Sequence, residues 1–240
     1  MMMKIVTVAN TSGGVGKTTT AHALAVASVE YGKKVLLIDA DPAASLTFCC
    51  GIENPRVSSM ELLRGEFSLE SAILKTTERF SFLPSSTRLS SLNIDDALAM
   101  EPFKAKAALK DFDLVVVDTA TGPNRLATYF LALSDLVLIP TTIEILNVRG
   151  ALHAKDFATS SGYHGALYLL VTKQSAPIDS EVEAALQSNF TVLEPAIRAD
   201  ASVPQSQESG SSVLTLHPQS GVAADYREIT YSLLEFLELI

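Results

Sequence analysis

The sequence predicts an α/β fold: a doubly wound, mostly parallel sheet of about seven to eight strands with helices on both faces. Three observations carry this expectation. Short, wholly apolar runs such as Val35-Leu36-Leu37-Ile38 and Leu114-Val115-Val116-Val117 are strands covered on both sides, because a strand with one wet face alternates apolar and polar residues. These runs alternate with helical segments, the order of a parallel sheet made from crossover units. The first run leads into glycines, a lysine and threonines, the kind of junction at which open sheets bind anions. With 240 residues, 48% of them hydrophobic and 19% charged, the chain is expected to form one globular domain over 1–240.

The elements follow in order. Ile5-Val6-Thr7-Val8-Ala9 is the first strand. The loop Ser12-Gly13-Gly14-Val15-Gly16-Lys17-Thr18-Thr19 comes next. A helix over 18–31 then ends at Gly32, a C′ residue. Glycines let successive backbone N–H groups turn inward, and the helix end adds partial positive charge. In such a cradle Lys17 reaches the β- and γ-phosphates of a nucleotide and the Thr18 hydroxyl binds Mg²⁺. The second strand, 35–38, delivers Asp39-Ala40-Asp41-Pro42 to the carboxyl edge of the sheet, where ligands bind in doubly wound folds. Pro42 keeps Asp41 extended.

Residues 43–75 read as short helical pieces and turns, 80–85 as a strand running into a loop, and 97–110 as a helix with Pro102 near its start. Leu114-Val115-Val116-Val117-Asp118 has the Walker B form, a buried strand whose terminal carboxylate faces the metal site. A helix over 124–133, a strand over 136–139 closed by Pro140, a long helix over 143–161 and a strand over 167–171 ending in Thr172-Lys173 come next. A helix over 181–189 and a last strand over 191–197, interrupted by Pro195, complete the alternation. Residues 202–212, with Arg198-Ala199-Asp200, are expected to form the lid of a base pocket. The closing helix, 225–240, sets Tyr226, Ile229, Leu233, Phe236, Leu237 and Ile240 at helical spacing. Its polar face carries Glu228, Glu235 and Glu238 against Arg227. Anionic lipid repels such a face, so this helix is expected to pack on the core and not on a membrane.

Bulk properties narrow the function. A formal net charge of −9 gives no composition-level sign of nucleic-acid binding, although a local basic patch remains open. Cys49 and Cys50 are adjacent, which suits free thiols in a reducing compartment better than a bridge. No signal-peptide apolar region stands at the start and no apolar run approaches ~20 residues. A soluble cytoplasmic protein is expected.

Gly13-Gly14-Val15-Gly16-Lys17-Thr18-Thr19, Asp39-Ala40-Asp41-Pro42 and Asp118, in this order, resemble the ParA/MinD class of ATPases with a deviant Walker A loop. The likeness covers roughly 4–238 and is greatest to ParA/Soj-type partition ATPases. It implies ATP and Mg²⁺ as cofactors, with Ser12, Gly13, Gly14, Val15, Gly16, Lys17, Thr18 and Thr19 around the phosphates. It implies Asp39 beside the Mg²⁺ water shell, Asp118 holding a metal-bound water, Asp41 orienting the attacking water, and Thr172 and Arg198 at the base. It also implies an ATP-dependent homodimer that binds nucleoid DNA without sequence preference. An adaptor or ParB-like protein would stimulate hydrolysis, so that a plasmid, chromosome region or protein cargo is positioned.

The chain departs from the class at four places. Ser12 stands where the class carries its signature lysine, Ala43 replaces a glutamine, Ala120 a proline, and Thr172-Lys173 the usual asparagine position. Loss of the lysine makes the chain similar to the carboxysome-positioning McdA branch. It leaves a charge deficit that Lys155 is expected to fill across the dimer, with Arg149 as competitor. No helix-turn-helix precedes Lys4, which argues against operator binding. A MinD-like membrane-associated regulator and a catalytically weak ATP-binding scaffold are the alternatives.

Overall fold

The computed structural model describes residues 2–92 and 107–240; the expected helix over 97–110 falls largely outside them. Among the described residues the sheet has eight strands: β1 (Lys4–Val8), β2 (Val35–Ala40), β3 (Leu74–Lys75), β4 (Ser81–Leu83), β5 (Leu114–Thr119), β6 (Leu136–Thr141), β7 (Ala166–Val171) and β8 (Thr191–Val192). Their spatial order is β3-β4-β2-β5-β1-β6-β7-β8. Every pairing is parallel except β3 with β4. β1 therefore sits inside the sheet with β5 on one side and β6 on the other, and its carboxyl end opens at the centre of the rim.

Alternate residues of each strand feed opposite cores, which explains why the strands read as unbroken apolar runs. Val6, Val8, Leu37, Val116 and Leu138 pack under α1 (Lys17–Glu30) and α10 (Gly221–Phe236). Ile5, Ile38, Val115 and Val117 face the other way, toward α3 (Ser59–Leu63) and α5 (Arg125–Leu133). On that same side Val137, Ile139, Leu169 and Val171 pack against α6 (Ile145–Ser160). α1 is buried nearly all round, and Gly32 beyond it has φ +79°, the left-handed turn a C′ glycine supplies.

Three local expectations are corrected. Pro140 lies inside β6 and does not close it. The Leu138 carbonyl accepts from the Ala9 N–H, so by the two-residue period the edge of Pro140 that lacks an N–H also faces the β1 side. By that point β1 has ended, and the Asn10 side chain donates to the Pro140 carbonyl at 2.7 Å instead. The last strand is two residues long, not seven; only isolated bonds continue it, such as Ile197 N–H to the Val171 carbonyl. The closing helix starts earlier than expected, capped by the Ser220 side chain on the Ala223 N–H, and ends at Phe236. Val222, Tyr226, Ile229 and Leu233 are buried on it, as a core-packing helix requires. Among the described residues no helix is long and apolar enough to cross a membrane.

Candidate functional site: a phosphate cradle at the sheet rim

β1 ends at Val8 and α1 begins at Lys17, with the glycine loop between them. Gly14 (φ +71°) and Gly16 (φ +87°) adopt the left-handed backbone that lets the loop curl over the end of α1. Beside Gly13 and Gly14 there is open space where a side chain would stand. The N-terminus of α1 has no side-chain cap and no acidic residue in its first turn. Its N–H groups therefore remain available to an anion.

Lys17 is buried, and its ammonium donates to the Ser12 carbonyl (2.9 Å) and the Thr121 hydroxyl (3.0 Å). Burial lowers its pKa, while the neighbouring charges of Asp118 and Asp41 oppose that shift. The Thr18 hydroxyl donates to Asp118 Oδ2 at 2.8 Å. Asp39 and Asp118 are register partners on β2 and β5, so both carboxylates project to one face of the sheet. Each is fully buried. Asp118 is held well above the usual carboxylate range, first by burial and then by the charge of Asp39. Burial pushes Asp39 up to about 6, against hydrogen bonds from Thr47 and the Asp41 N–H that favour its charge. Two buried carboxylates side by side beneath an anion cradle are unfavourable alone and call for a cation. Asp118 Oδ1 is buried with no hydrogen-bond partner, which fits a site that directs an acceptor at a hydrated metal.

Asp39 itself is more engaged than sequence reasoning foresaw. Its Oδ2 accepts from both the Thr47 N–H (2.9 Å) and hydroxyl (2.7 Å), and its Oδ1 from the Asp41 N–H (3.0 Å). It ties α2 (Ser45–Cys49) to the metal side of the cradle. Asp41 lies half-buried at the rim and accepts from the Ala43 N–H. Thr19 accepts from Gln207 of α8 (Ser202–Glu208). Cys49 and Cys50 are free thiols, as expected.

A cleft of about 390 Å³ continues from Gly16 and Thr19 to Thr172, Ile197, Ala199, Val203 and Tyr226. Of the residues expected as a lid, 202–208 form the short helix α8, and Val203 and Pro204 border the cleft. Thr172 lines the cleft and donates to the Val15 carbonyl (2.9 Å). Arg198 also lines it, but its guanidinium forks onto Asp225 at 2.8 and 2.7 Å, a bidentate pair that commits its charge to α10.

Lys155 is not directed at the cradle. Its ammonium donates to the Asn189 carbonyl (2.5 Å) and lies over the Phe190 ring, closing the end of α7 (Ser180–Asn189). A last-turn carbonyl is a natural partner for a cation. The element that does meet the loop is the middle of the same helix: the Thr11 hydroxyl donates to the Gly150 carbonyl, and Ser12 packs on the Gly150 Cα. Asn10 was also missed. It is buried, accepts the Ser12 N–H and bonds Pro140, fixing the entrance of the loop.

A family model described as an AAA domain matches residues 3–157. An uncharacterized ATP-binding protein of Methanocaldococcus jannaschii is 36% identical over 68% of this chain, and the chain covers 62%, less than two thirds, of that relative. The chromosome-partitioning ATPase Soj of Thermus thermophilus is 31% identical over 93% of this chain and 92% of its own. The maintenance of carboxysome distribution protein A of Synechococcus elongatus is 32% identical over 64% of each chain. Among solved structures, cobyrinic acid a,c-diamide synthase from Mycobacterium smegmatis, with bound ATP analog and magnesium, is 28% identical (TM-score 0.82, 99% and 96% coverage). An ATP complex of McdA from Cyanothece is 22% identical (TM-score 0.81, 99% and 97% coverage), a likeness of fold.

Proposed function

Because the chain belongs to the AAA domain family, in its ParA/MinD class of P-loop ATPases, we propose that residues 1–240 act as one Mg²⁺-dependent ATPase unit that dimerises on ATP. The loaded dimer binds DNA without sequence preference and, with an adaptor protein, positions a cargo in a nucleoid-associated, cytoplasmic setting. The observation that carries this reading is one convergence: an uncapped helix end, the open glycine cradle, Lys17, and the Thr18–Asp118–Asp39 acid site share a single rim.

The geometry supports a role for each residue. The N–H groups of residues 13–18 bind phosphate oxygens, and Lys17 leaves Ser12 and Thr121 to neutralise the terminal phosphates. Thr18 and Asp118 would hold Mg²⁺, directly and through water, with Asp39 behind them; the ion supplies charge compensation for the departing diphosphate. Asp41 orients water for attack. Thr172 and the walls of the 390 Å³ cleft receive the base.

Dimerisation has support in an exposed apolar pair. Ile145 and Leu146 are 72% and 70% exposed at the start of α6, little more than one turn before the Gly150 that touches the glycine loop. Apolar surface beside a nucleotide site is a place for a second copy. The DNA reading needs that dimer, because Arg198 and Arg227 are already paired with Asp225 and Glu30. Doubling the remaining cations concentrates them on one face. The cargo class is left between the relatives: chromosome partition as for Soj, or carboxysome distribution as for the Synechococcus protein.

The test is direct. Wild-type protein is expected to bind and hydrolyse Mg·ATP, and Lys17→Ala to lose both. ATP-loaded wild type is expected to retain plasmid DNA at low salt and release it as salt rises. No Mg·ATP binding by wild type removes the whole reading; binding without DNA retention removes the nucleoid part alone.

A further inference from the structure

Lys173 follows the last residues of β7 and has φ +55°. A left-handed backbone costs a residue with a side chain roughly 1–2 kcal/mol, and such strain persists where surrounding structure enforces it. Here the residue lies at the edge of the 390 Å³ cleft, and its ammonium donates to the Gly14 carbonyl at 2.6 Å. Thr172, one residue earlier, donates to the Val15 carbonyl at 2.9 Å. Two successive residues of one strand end thus grip two successive carbonyls of the loop. In a planar trans peptide the C=O and the following N–H point in opposite directions. Holding the Gly14 carbonyl therefore turns the Val15 N–H the opposite way, and holding the Val15 carbonyl does the same for Gly16.

The charge of Lys173 matters for a second reason. Ser12 brings no positive charge to the loop, whereas the Lys173 ammonium bonds the loop's own backbone. We propose that Lys173 is a positioning residue for phosphate binding: it holds the Gly14 carbonyl, which turns the Val15 N–H the opposite way, toward the phosphates, and it brings to the loop a cation that Ser12 does not supply. This inference rests on the Mg·ATP reading above and gives a role to a lysine that the sequence marks only as a departure from the class.

The experiment compares wild type, Lys173→Met and Lys173→Arg by calorimetric titration with Mg·ATP, by competition with adenosine, and by melting without nucleotide. Lys173→Met is expected to weaken Mg·ATP binding about tenfold or more, the scale of one charge-assisted bond. Adenosine affinity and the nucleotide-free melting temperature stay unchanged, and Lys173→Arg recovers part of the lost affinity. Equal Mg·ATP affinity in wild type and Lys173→Met overturns the inference while leaving the ATPase reading intact. A parallel loss for adenosine assigns Lys173 to the base and also overturns it, as does a fall in nucleotide-free melting temperature that accounts for the loss. A wild type that binds no Mg·ATP overturns the parent reading and this one together.

Discussion

Asp118 concentrates the electrostatics of the site. It is buried, it shares a register row with Asp39, and one of its oxygens lacks a partner. An acid whose folded-state pKa is raised keeps protons that the unfolded chain gives up. Its contribution to stability is therefore fullest below the ordinary carboxylate value and is lost as pH climbs through the folded value. For Asp39 that window runs from the usual carboxylate range up to about 6, and for Asp118 the shift has the same sign, with burial as its first cause. Asp118→Asn is expected to raise the nucleotide-free melting temperature at pH 8, by about 2–4 °C for each kcal/mol of repulsion relieved. The gain should shrink toward pH 4, and Mg·ATP should no longer stabilise the variant. Thermal melts across pH check this; an unchanged or lower melting temperature at pH 8 contradicts it. Asp39, Asp118 and the glycines were legible in the sequence because each lies where a strand ends, a position that periodicity finds. Where Lys155 points was not legible, because which face of a helix meets its own cradle depends on tertiary packing, and within the chain that helix turns its lysine to Asn189.

At the scale of elements, α6 and the glycine loop meet through a single missing side chain. A Cβ at Gly150 would stand 1.9 Å from Ser12 Oγ and 2.9 Å from Ser12 Cβ. Gly150→Ala is therefore expected to push helix and loop apart, costing about 1–3 kcal/mol as overpacking does and weakening Mg·ATP binding. Adding Ser12→Gly removes the two closest contacts and leaves only Asn10 Oδ1 at 3.2 Å, so the double variant should recover most of both properties; calorimetry and melting decide, and failure of the rescue places the effect elsewhere. Nothing local in the sequence announces this contact, since Ser12 and Gly150 are far apart in the chain. The same holds for Asn10 with Pro140, and for Thr47 with Asp39. The sheet was legible because unbroken apolar strands state their burial directly. Pro140 misled because proline normally ends a ladder, whereas here its bare edge lies past the end of β1.

For the molecule as a whole, the question is how two copies meet. Ile145 and Leu146 are exposed apolar residues little more than one turn before the Gly150 that meets the glycine loop. Ile145→Glu is expected to leave monomer stability within about 0.5 kcal/mol, as surface changes do. It should abolish the mass increase that Mg·ATP produces in light scattering after size exclusion. A variant that dimerises as wild type does moves the contact away from α6. Acid residues on the closing helix weigh against a lipid surface at any scale: Glu228 and Glu235 accompany its exposed Tyr231 and Phe236.

The bond from the Lys17 ammonium to the Thr121 hydroxyl would make nucleotide in the cradle audible at a distance. An ammonium drawn to a nucleotide's terminal oxygens lets go of that hydroxyl, and the turn it anchored runs directly into Asn124, whose side chain caps α5. Nucleotide in the cradle is therefore expected to loosen a tether at the root of that surface helix. Amide hydrogen exchange over 120–127 should quicken on loading, and Thr121→Val should erase the difference between the two states.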